Sequence, residues 1–555
     1  MAPTFLQLPD ILCSQATHSQ TFNPPPQNVF LSVAQIYDWH AEHSTHHPLF
    51  LYFDDTRNTK VKITWHQAVQ AVYRIGDSIL RHVTHTSTQR SLVGLYSSSD
   101  TFTYILSLIG IMRAGLPVLL LSSRTSPVAL KHMIVESGVS HILMDRNDTE
   151  LASRLQSVQQ NMSSSITVSY VPSWDDLFSE EAPVKLPALT PGLDDLCLIL
   201  HSSGSTALPE LNFYTHRMVN TALWQPWYGA KDICGQVLST PSIPMAGAAG
   251  VMQALFSASS GLVISGFKPT SPPAIPTPAT VWKNMISTNS TYSFVLQPFL
   301  SVWSEDPDKI PILAGLEGVM FGGGPLMKSV GDLLADKGVN IFPLFGSSEG
   351  GLLNKVFPEN MGVNWEYFSF YSLVNPALRK NTDDGTVELV LKGCPTHVPT
   401  KTNTIFEGVP AYATGDLIEP HPSIPGLWRF LCRVADQEVI GPGRKVNAVA
   451  LARNLMADPN IAGAVLVSMN VGSSIAFGAI IEMSGSSAQG EVDTYKHLIW
   501  PSIERYNEIA PDPARLSKQN IIIASKSKPF SYGEKGMPLR KEVIKAYKEE
   551  IMKLV

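Results

Sequence analysis

The pattern of apolar residues between about residues 30 and 145 leaves this chain few folds to choose from. Residues 33–43 and 65–82 place apolar side chains three and four apart, the spacing of one helix face, whereas 91–96 and 116–121 are short, continuously apolar runs of strand length. Strands that alternate with helices predict a parallel sheet covered by helices, hence an α/β architecture. The alternation resumes over 294–345, and residues 385–432 are rich in strand formers and turn residues. From about residue 436 a smaller unit begins, with apolar strands at 462–469 and 475–483 and a charged helix at 541–554. Polar, proline-containing stretches at 179–195 and 268–280 read as loops. With 555 residues the chain exceeds one ordinary core, since domains run to about 100–200 residues.

Charge and cysteine usage exclude several classes of function. There are 41 Lys+Arg against 47 Asp+Glu, a net charge of -6, with neither a basic excess nor a basic stripe. A protein that grips nucleic acid by its phosphates needs one or the other, so a small-molecule partner is expected and nucleic acid is not. The five cysteines, Cys13, Cys197, Cys234, Cys394 and Cys432, are far apart and form no CxxC pair. That argues against a zinc site or a disulfide framework and suits a reducing, cytoplasmic setting. The N-terminus lacks the basic and apolar regions of a signal peptide. The most apolar stretch, 104–121, contains Arg113, Gly115 and Pro117. A membrane span needs about 20 apolar residues with few charges, so this stretch is expected to be a buried helix followed by a buried strand.

Four segments carry chemistry. L-I-L-H-S-S-G-S-T-A-L-P-E (198–210) runs an apolar strand into a loop of small hydroxyl residues around glycine. Backbone N–H groups and hydroxyls in such a turn can surround a phosphate, although a plain polar loop has the same composition. L-F-G-S-S-E-G (344–350) offers Glu349, a carboxylate suited to magnesium, and Phe345, a ring face for a base; a surface Glu in a turn is the plainer alternative. Y-A-T-G-D-L (412–417) sets Asp416 in a tight turn, where it can accept hydrogen bonds from a ribose diol or serve the turn itself. In K-P-F-S-Y-G-E-K-G-M-P-L-R-K (528–541), Lys535 is either a solvated lysine or a long cation able to reach a phosphate or carboxylate.

In this order and at this spacing, the segments resemble the adenylate-forming superfamily of acyl-CoA synthetases, luciferases and nonribosomal peptide synthetase adenylation domains. The resemblance runs from about residue 30 to 550. It includes R-A-G-L-P-V-L-L-L (113–121), F-G-G-G-P-L (321–326) and F-L-C-R-V-A-D-Q-E-V-I-G-P-G-R-K-V (430–446). H-S-S-G-S-T, T-H-R and the final K-G-x-x-x-R are closest in style to fungal adenylation enzymes related to aminoadipate and aryl-acid reductases. The resemblance implies a large N-terminal domain of α/β subdomains (1–432), a hinge (433–436) and a small mobile α+β domain (437–555). It implies ATP and Mg2+ as cofactors. Ser202, Ser203, Gly204, Ser205 and Thr206 would hold phosphates, and Gly322, Gly323, Gly324 and Phe345 would take adenine. Asp416 and Arg433 would approach the ribose. Ser348 would contact the α-phosphate, Glu349 would bind magnesium, and Lys535 would bridge carboxylate and α-phosphate. The activity implied is activation of a carboxylic acid as acyl-AMP, by a ligase of specialised metabolism.

The sequence also departs from the family pattern. The phosphate loop of the family ends T-G-x-P-K; here Ala207 replaces the glycine and Glu210 the lysine. Cys432 and Ala435 flank the hinge arginine, and Pro244 stands where an aromatic or histidine usually faces the acyl pocket. These changes bear on pyrophosphate handling, domain rotation and the second half-reaction. The chain ends about 20 residues after Lys535, which implies a stand-alone ligase with no carrier or reductase domain of its own. Its acceptor would be CoA, a separate carrier protein, or a small amine or alcohol. The small, apolar residues of 241–257 point to an aromatic or aliphatic acid, and suit a core equally well. The competing expectation is a noncatalytic relative that keeps the fold as a binding or scaffold protein.

Overall fold

The structure, a computed structural model, describes residues 8–83, 91–162, 165–180, 184–202, 208–380, 387–441, 444–471, 474–484, 492–532 and 538–553. The chain divides into two compact units. The first comprises Met1–Pro376, Leu391–Tyr412 and His421–Trp428; the second comprises Ala377–Val390, Ala413–Pro420 and Arg429–Val555.

Two open sheets build the first unit. One runs in the order Thr167–Tyr170, His141–Met144, Val93–Tyr96, Val118–Leu121, Leu196–Ser202 and Glu210–Thr215. All its pairings are parallel except the last, where Glu210–Thr215 turns back antiparallel on Leu196–Ser202. The other runs Ile341–Pro343, Gly318–Gly322, Tyr292–Leu296, Val237–Ser239, Val263–Ser265, Pro48–Asp54 and Thr59–Thr64, again parallel up to an antiparallel edge. Buried strands such as Val93–Tyr96 and Val118–Leu121 have no exposed face, as parallel sheets covered on both sides require. The α/β architecture expected from the alternating pattern is therefore present.

The apolar stretch at 104–121 forms helix Thr101–Arg113 and strand Val118–Leu121. From Phe102 to Arg113 every residue of that helix is buried, so it is apolar all round because it is enclosed by protein. A Cβ on Gly110 would lie 2.6 Å from the Ile75 side chain, so the close crossing with helix Trp65–Leu80 depends on a missing side chain. Arg113 is buried with its charge satisfied: Nε meets Asp38 at 2.9 Å, and an Nη donates to the Pro187 carbonyl at 2.8 Å. Among the described residues no helix is long and apolar enough to cross a membrane.

The second unit is α+β. Strands Ile461–Val471 and Ser474–Met483 form a long antiparallel hairpin, and Ile521–Ile523 adds a parallel edge. Period-two alternation gives the hairpin two apolar faces. Leu466, Phe477, Ala479 and Ile481 pack with helices Ala448–Met456 and Trp500–Ile509, whereas Val465 and Ile480 pack with Phe530, Val543 and Tyr547. The charged terminal helix is two pieces, Arg540–Ala546 and Lys548–Met552. Tyr547 interrupts it because its ring is buried and its backbone leaves the helical region. The proline-rich loop at 268–280 ends slightly earlier than its composition suggests, because Thr277 caps helix Pro278–Ser287.

Two histidines of the first unit are enclosed as neutral imidazoles. His40 is bonded to the Ala258 carbonyl at 2.7 Å and to the Ser44 hydroxyl at 2.9 Å, and burial lowers its pKa to about 3. His141 lies between the hydroxyls of Thr167 and Ser169, each at 2.7 Å, and burial lowers its pKa to about 4. An unfolded imidazole protonates near pH 6.5, which the folded ones resist. Below about pH 6.5 the unfolded chain therefore gains protons that the folded chain does not, and stability falls as pH falls. The slope is up to about 1.4 kcal/mol per pH unit for each histidine until its folded pKa is reached. Thermal unfolding followed between pH 7 and pH 5 should show a falling midpoint, with a shallower fall in His141→Asn. Parallel curves for the two proteins would remove His141 from the acid response.

Candidate active site

Strand Leu196–Ser202 delivers its last residues, His201 and Ser202, to the carboxyl edge of the first sheet, where ligands of open α/β sheets bind. Ser203, Gly204, Ser205 and Thr206, which follow, lie outside the described residues, as does Ala207. The described chain resumes at Leu208, and Glu210 pairs directly with Ser202 across the antiparallel strands. The two sides of the loop's neck are thus a serine and a glutamate.

The second sheet brings its own carboxyl edge to the same place. Strand Gly318–Gly322 leads into Gly323 and Gly324, and its parallel neighbour Ile341–Pro343 leads into Leu344 and Phe345. Phe345 is fixed from two sides. Its backbone N–H donates to the Asn354 side chain at 2.8 Å, and its ring stacks on Phe368 with centroids 4.6 Å apart and planes 24° apart. Asn354, 1% exposed, also donates to the Pro343 carbonyl at 2.8 Å, so one buried amide holds both arms of the turn.

Phe345 is followed by a tight antiparallel hairpin in which Gly346 faces Leu352 and Ser347 faces Gly351. Its tip is Ser348, Glu349 and Gly350. A Cβ on Gly346 would lie 2.3 Å from the Gly351 carbonyl oxygen, so only glycine lets the strands approach this closely. The tip is anchored at each of its residues. The Tyr214 hydroxyl donates to the Ser348 carbonyl at 2.6 Å, and the Ser348 hydroxyl donates to the His201 carbonyl at 3.4 Å. The Thr400 N–H donates to the Glu349 carbonyl at 2.9 Å, and His397 Nε2 meets the Gly350 carbonyl at 2.7 Å. Burial, together with the Glu349 charge, pushes the Tyr214 phenol well above its ordinary range, which keeps it a donor.

The Glu349 side chain is 11% exposed and points toward Lys401, whose Nζ stands 3.8 Å from Oε1. Lys401 is paired more tightly with Glu210, and its Nζ is 6.0 Å from the centre of the Tyr412 ring. Glu349 also lines a cavity of about 40 Å³ together with Tyr214, Met218, Thr221, Gln225 and Leu352, room enough for water.

In the second unit, Asp416 and Arg433 form an ion pair, Nε to Oδ1, at 3.1 Å. The Asp416 side chain is 7% exposed and that of Arg433 57%, so the guanidinium covers the carboxylate from the solvent side. The turn is held by Thr414, whose hydroxyl donates to the Leu389 carbonyl and accepts from the Asp416 N–H. A 3-10 turn, Val434–Asp436, follows directly after Arg433. Lys535 lies outside the described residues, but the chain on either side of it is joined. Tyr532 and Pro538 form a β-bridge, and the Leu539 N–H donates to the Ser531 carbonyl at 2.7 Å.

Within the first unit, then, the sequence-expected Ser202, Gly322, Phe345, Ser348 and Glu349 meet at the facing edges of two sheets. Lys401, Tyr214, Thr400 and Asn354 belong to the same constellation and were not singled out in the sequence. They stand in segments with no distinguishing pattern, and the turn T-K-T-N-T around Lys401 reads as any polar loop.

Comparison with known proteins is consistent with this geometry. Residues 37–369 match the AMP-binding enzyme family, and residues 435–555 match the AMP-binding enzyme C-terminal domain. An adenylate-forming reductase, Nps10 of Heterobasidion annosum, is 33% identical over 98% of this chain and 51% of its own length. The adenylate-forming reductase Nps9 of Serpula lacrymans is 25% identical over 95% of this chain and 49% of its own. The chain thus spans about half the length of the curated relatives it matches. Among solved structures, the O-succinylbenzoate coenzyme A synthetase MenE of Bacillus subtilis with AMP superposes with a TM-score of 0.68 at 15% identity, covering 91% of this chain and 97% of its own. ATP-bound MatB of Rhodopseudomonas palustris gives 0.68 at 14% identity over 94% of this chain and 100% of its own.

The anchoring of the Ser348 carbonyl by Tyr214 is open to direct measurement. Tyr214→Phe removes the donor and leaves a part-buried acceptor, so unfolding free energy should fall by about 1–2 kcal/mol in urea titration. An unchanged midpoint would show that the tip holds its place without Tyr214.

Proposed function

The chain belongs to the AMP-binding enzyme family and is an adenylate-forming enzyme; on that premise we propose that it activates a carboxylic acid as acyl-AMP, releasing pyrophosphate. The observation that carries this reading is the Ser348–Glu349 tip, anchored beside the end of strand Leu196–Ser202 and carrying a mostly enclosed carboxylate.

In this reading the phosphates of ATP lie against the loop that begins at Ser202 and continues through Ser203, Gly204, Ser205 and Thr206. The adenine lies by Gly322, Gly323, Gly324 and Phe345. The rigid stacking of Phe345 on Phe368 supports a flat surface there. Asp416, oriented by Arg433, accepts from the ribose hydroxyls. Glu349 fits a divalent cation: its carboxylate already faces a cation at 3.8 Å, and magnesium is commonly held by one carboxylate together with phosphate oxygens. Magnesium, when bound, offsets negative charge on the phosphates. The acid's carboxylate oxygen forms a bond to the α-phosphorus as the bond from that phosphorus to the bridging oxygen breaks, and the electron pair leaves with pyrophosphate. Two anions must meet in this step. We assign Lys535 the role of bridging them, with Ser348 at the α-phosphate.

The acyl group then passes to a thiol of CoA or a carrier protein, or to an amine or alcohol. We read the chain as a large domain (1–432) and a small one (437–555) joined by a hinge at 433–436, with the small domain moving between half-reactions. The short turn after Arg433 supports a pivot at that point. The rival reading, a fold kept only for binding, draws on the altered phosphate loop, Ala207 and Glu210; the pairing of Glu210 with Lys401 supports the catalytic reading against it.

Calorimetric titration with ATP and magnesium should give saturable binding that Asp416→Ala weakens at least about tenfold. With a panel of aromatic and aliphatic acids, the wild-type chain should release pyrophosphate. Lys535→Ala should bind ATP within about twofold of wild type yet lose at least about 99% of that release. A fully active Lys535→Ala would remove Lys535 from the reaction, and absence of ATP binding at millimolar concentration would overturn adenylation.

A further inference from the structure

The phosphate-loop position that carries lysine in the family pattern carries Glu210 here, and the structure answers that acid with a cation from elsewhere. Glu210 faces Ser202 across the neck of the loop. Lys401 pairs with Glu210, and its Nζ lies 3.8 Å from the Glu349 carboxylate. The neighbouring Thr400 ties this segment to both sides, donating from its N–H to the Glu349 carbonyl at 2.9 Å and from its hydroxyl to the Asn212 side chain at 2.9 Å. The ammonium is therefore delivered to the loop's neck by a fixed backbone. Its side chain remains 34% exposed, so the ammonium stays reachable from solvent.

We infer that Lys401, held in place by Glu210, is the cation that receives the terminal phosphates of a magnesium-bound nucleoside triphosphate. The inference rests on the adenylate-forming reading and adds to it a residue and a division of labour. Glu210 is a positioning residue: it turns the ammonium toward the loop, and its charge is spent on Lys401 before any phosphate arrives. The looser contact with Glu349 is the one a metal ion can take over, since a carboxylate 3.8 Å from an ammonium makes no hydrogen bond with it. With a metal held by Glu349, Lys401 would be left to phosphate oxygens and to Glu210. The arrangement stations three charges, two negative and one positive, where a phosphate chain and its metal bring several of each sign.

The inference separates the two ends of the nucleotide. A cation at the loop's neck acts on the β- and γ-phosphates, not on the nucleoside. Calorimetric titration of AMP, magnesium ATP and magnesium pyrophosphate into the wild-type chain and into Lys401→Met, Lys401→Arg and Glu210→Gln tests it. Lys401→Met should weaken ATP and pyrophosphate at least about tenfold while leaving AMP within about twofold. Lys401→Arg should recover most of the loss, and Glu210→Gln should show a smaller loss of the same selectivity. Equal affinity of Lys401→Met and wild type for ATP and pyrophosphate overturns the inference, as does a loss shared equally by AMP. Binding of magnesium pyrophosphate that depends on Lys401, in a chain that does not bind AMP, would uphold this site and fault the adenylation reading instead.

Discussion

A carboxylate taken almost out of water must be answered by a cation, and Glu349 is in that position. Its side chain sits at the tip of a hairpin so tight that a single Cβ at Gly346 would collide with the facing backbone. The tip is held by hydrogen bonds from Tyr214, Thr400 and His397, and Ser348 reaches back to the carbonyl of His201. These bonds satisfy backbone carbonyls of the tip and of the neighbouring strand, while Lys401 faces the carboxylate itself, so one hairpin tip ties together the edges of two sheets, a turn and a distant loop.

That view changes the meaning of Glu210. In a linear reading an acid beside a phosphate loop is a defect, since like charges repel. In the folded chain it is one partner of an ion pair whose other partner, Lys401, leans toward Glu349 as well. The Glu210 charge is matched by Lys401, so an acid at position 210 is not by itself an obstacle to phosphate there. The same economy is seen at Asp416, which is covered by Arg433 rather than left to water.

The large features of the fold were legible because they are periodic. Helix Val33–His43 and the hairpin strands around 462–483 lie within a residue or two of where the apolar spacing puts them. Deviations came from single side chains with tertiary partners: Tyr547 breaks the last helix because its ring belongs to a core cluster on the far face of the hairpin sheet. The apolar run at 104–121 was legible as buried protein rather than membrane because of Arg113, and the reason is now physical, an arginine matched by Asp38 and a carbonyl.

Of the candidate site, short motifs and their resemblance to a family pattern singled out Ser202, the glycines after Phe321, Phe345, Ser348, Glu349, Asp416 and Arg433 as candidates. Local order suffices there, because each motif places its residue at the end of a strand or in a turn that neighbouring residues specify. Only the tertiary structure decided which charges answer which. Lys401 stands far along the chain from Glu210 in a loop without pattern, and no periodicity or motif links the two. Their pairing follows from how the edges of two sheets and one loop pack, and electrostatic partnership depends on distance in space rather than on distance in sequence.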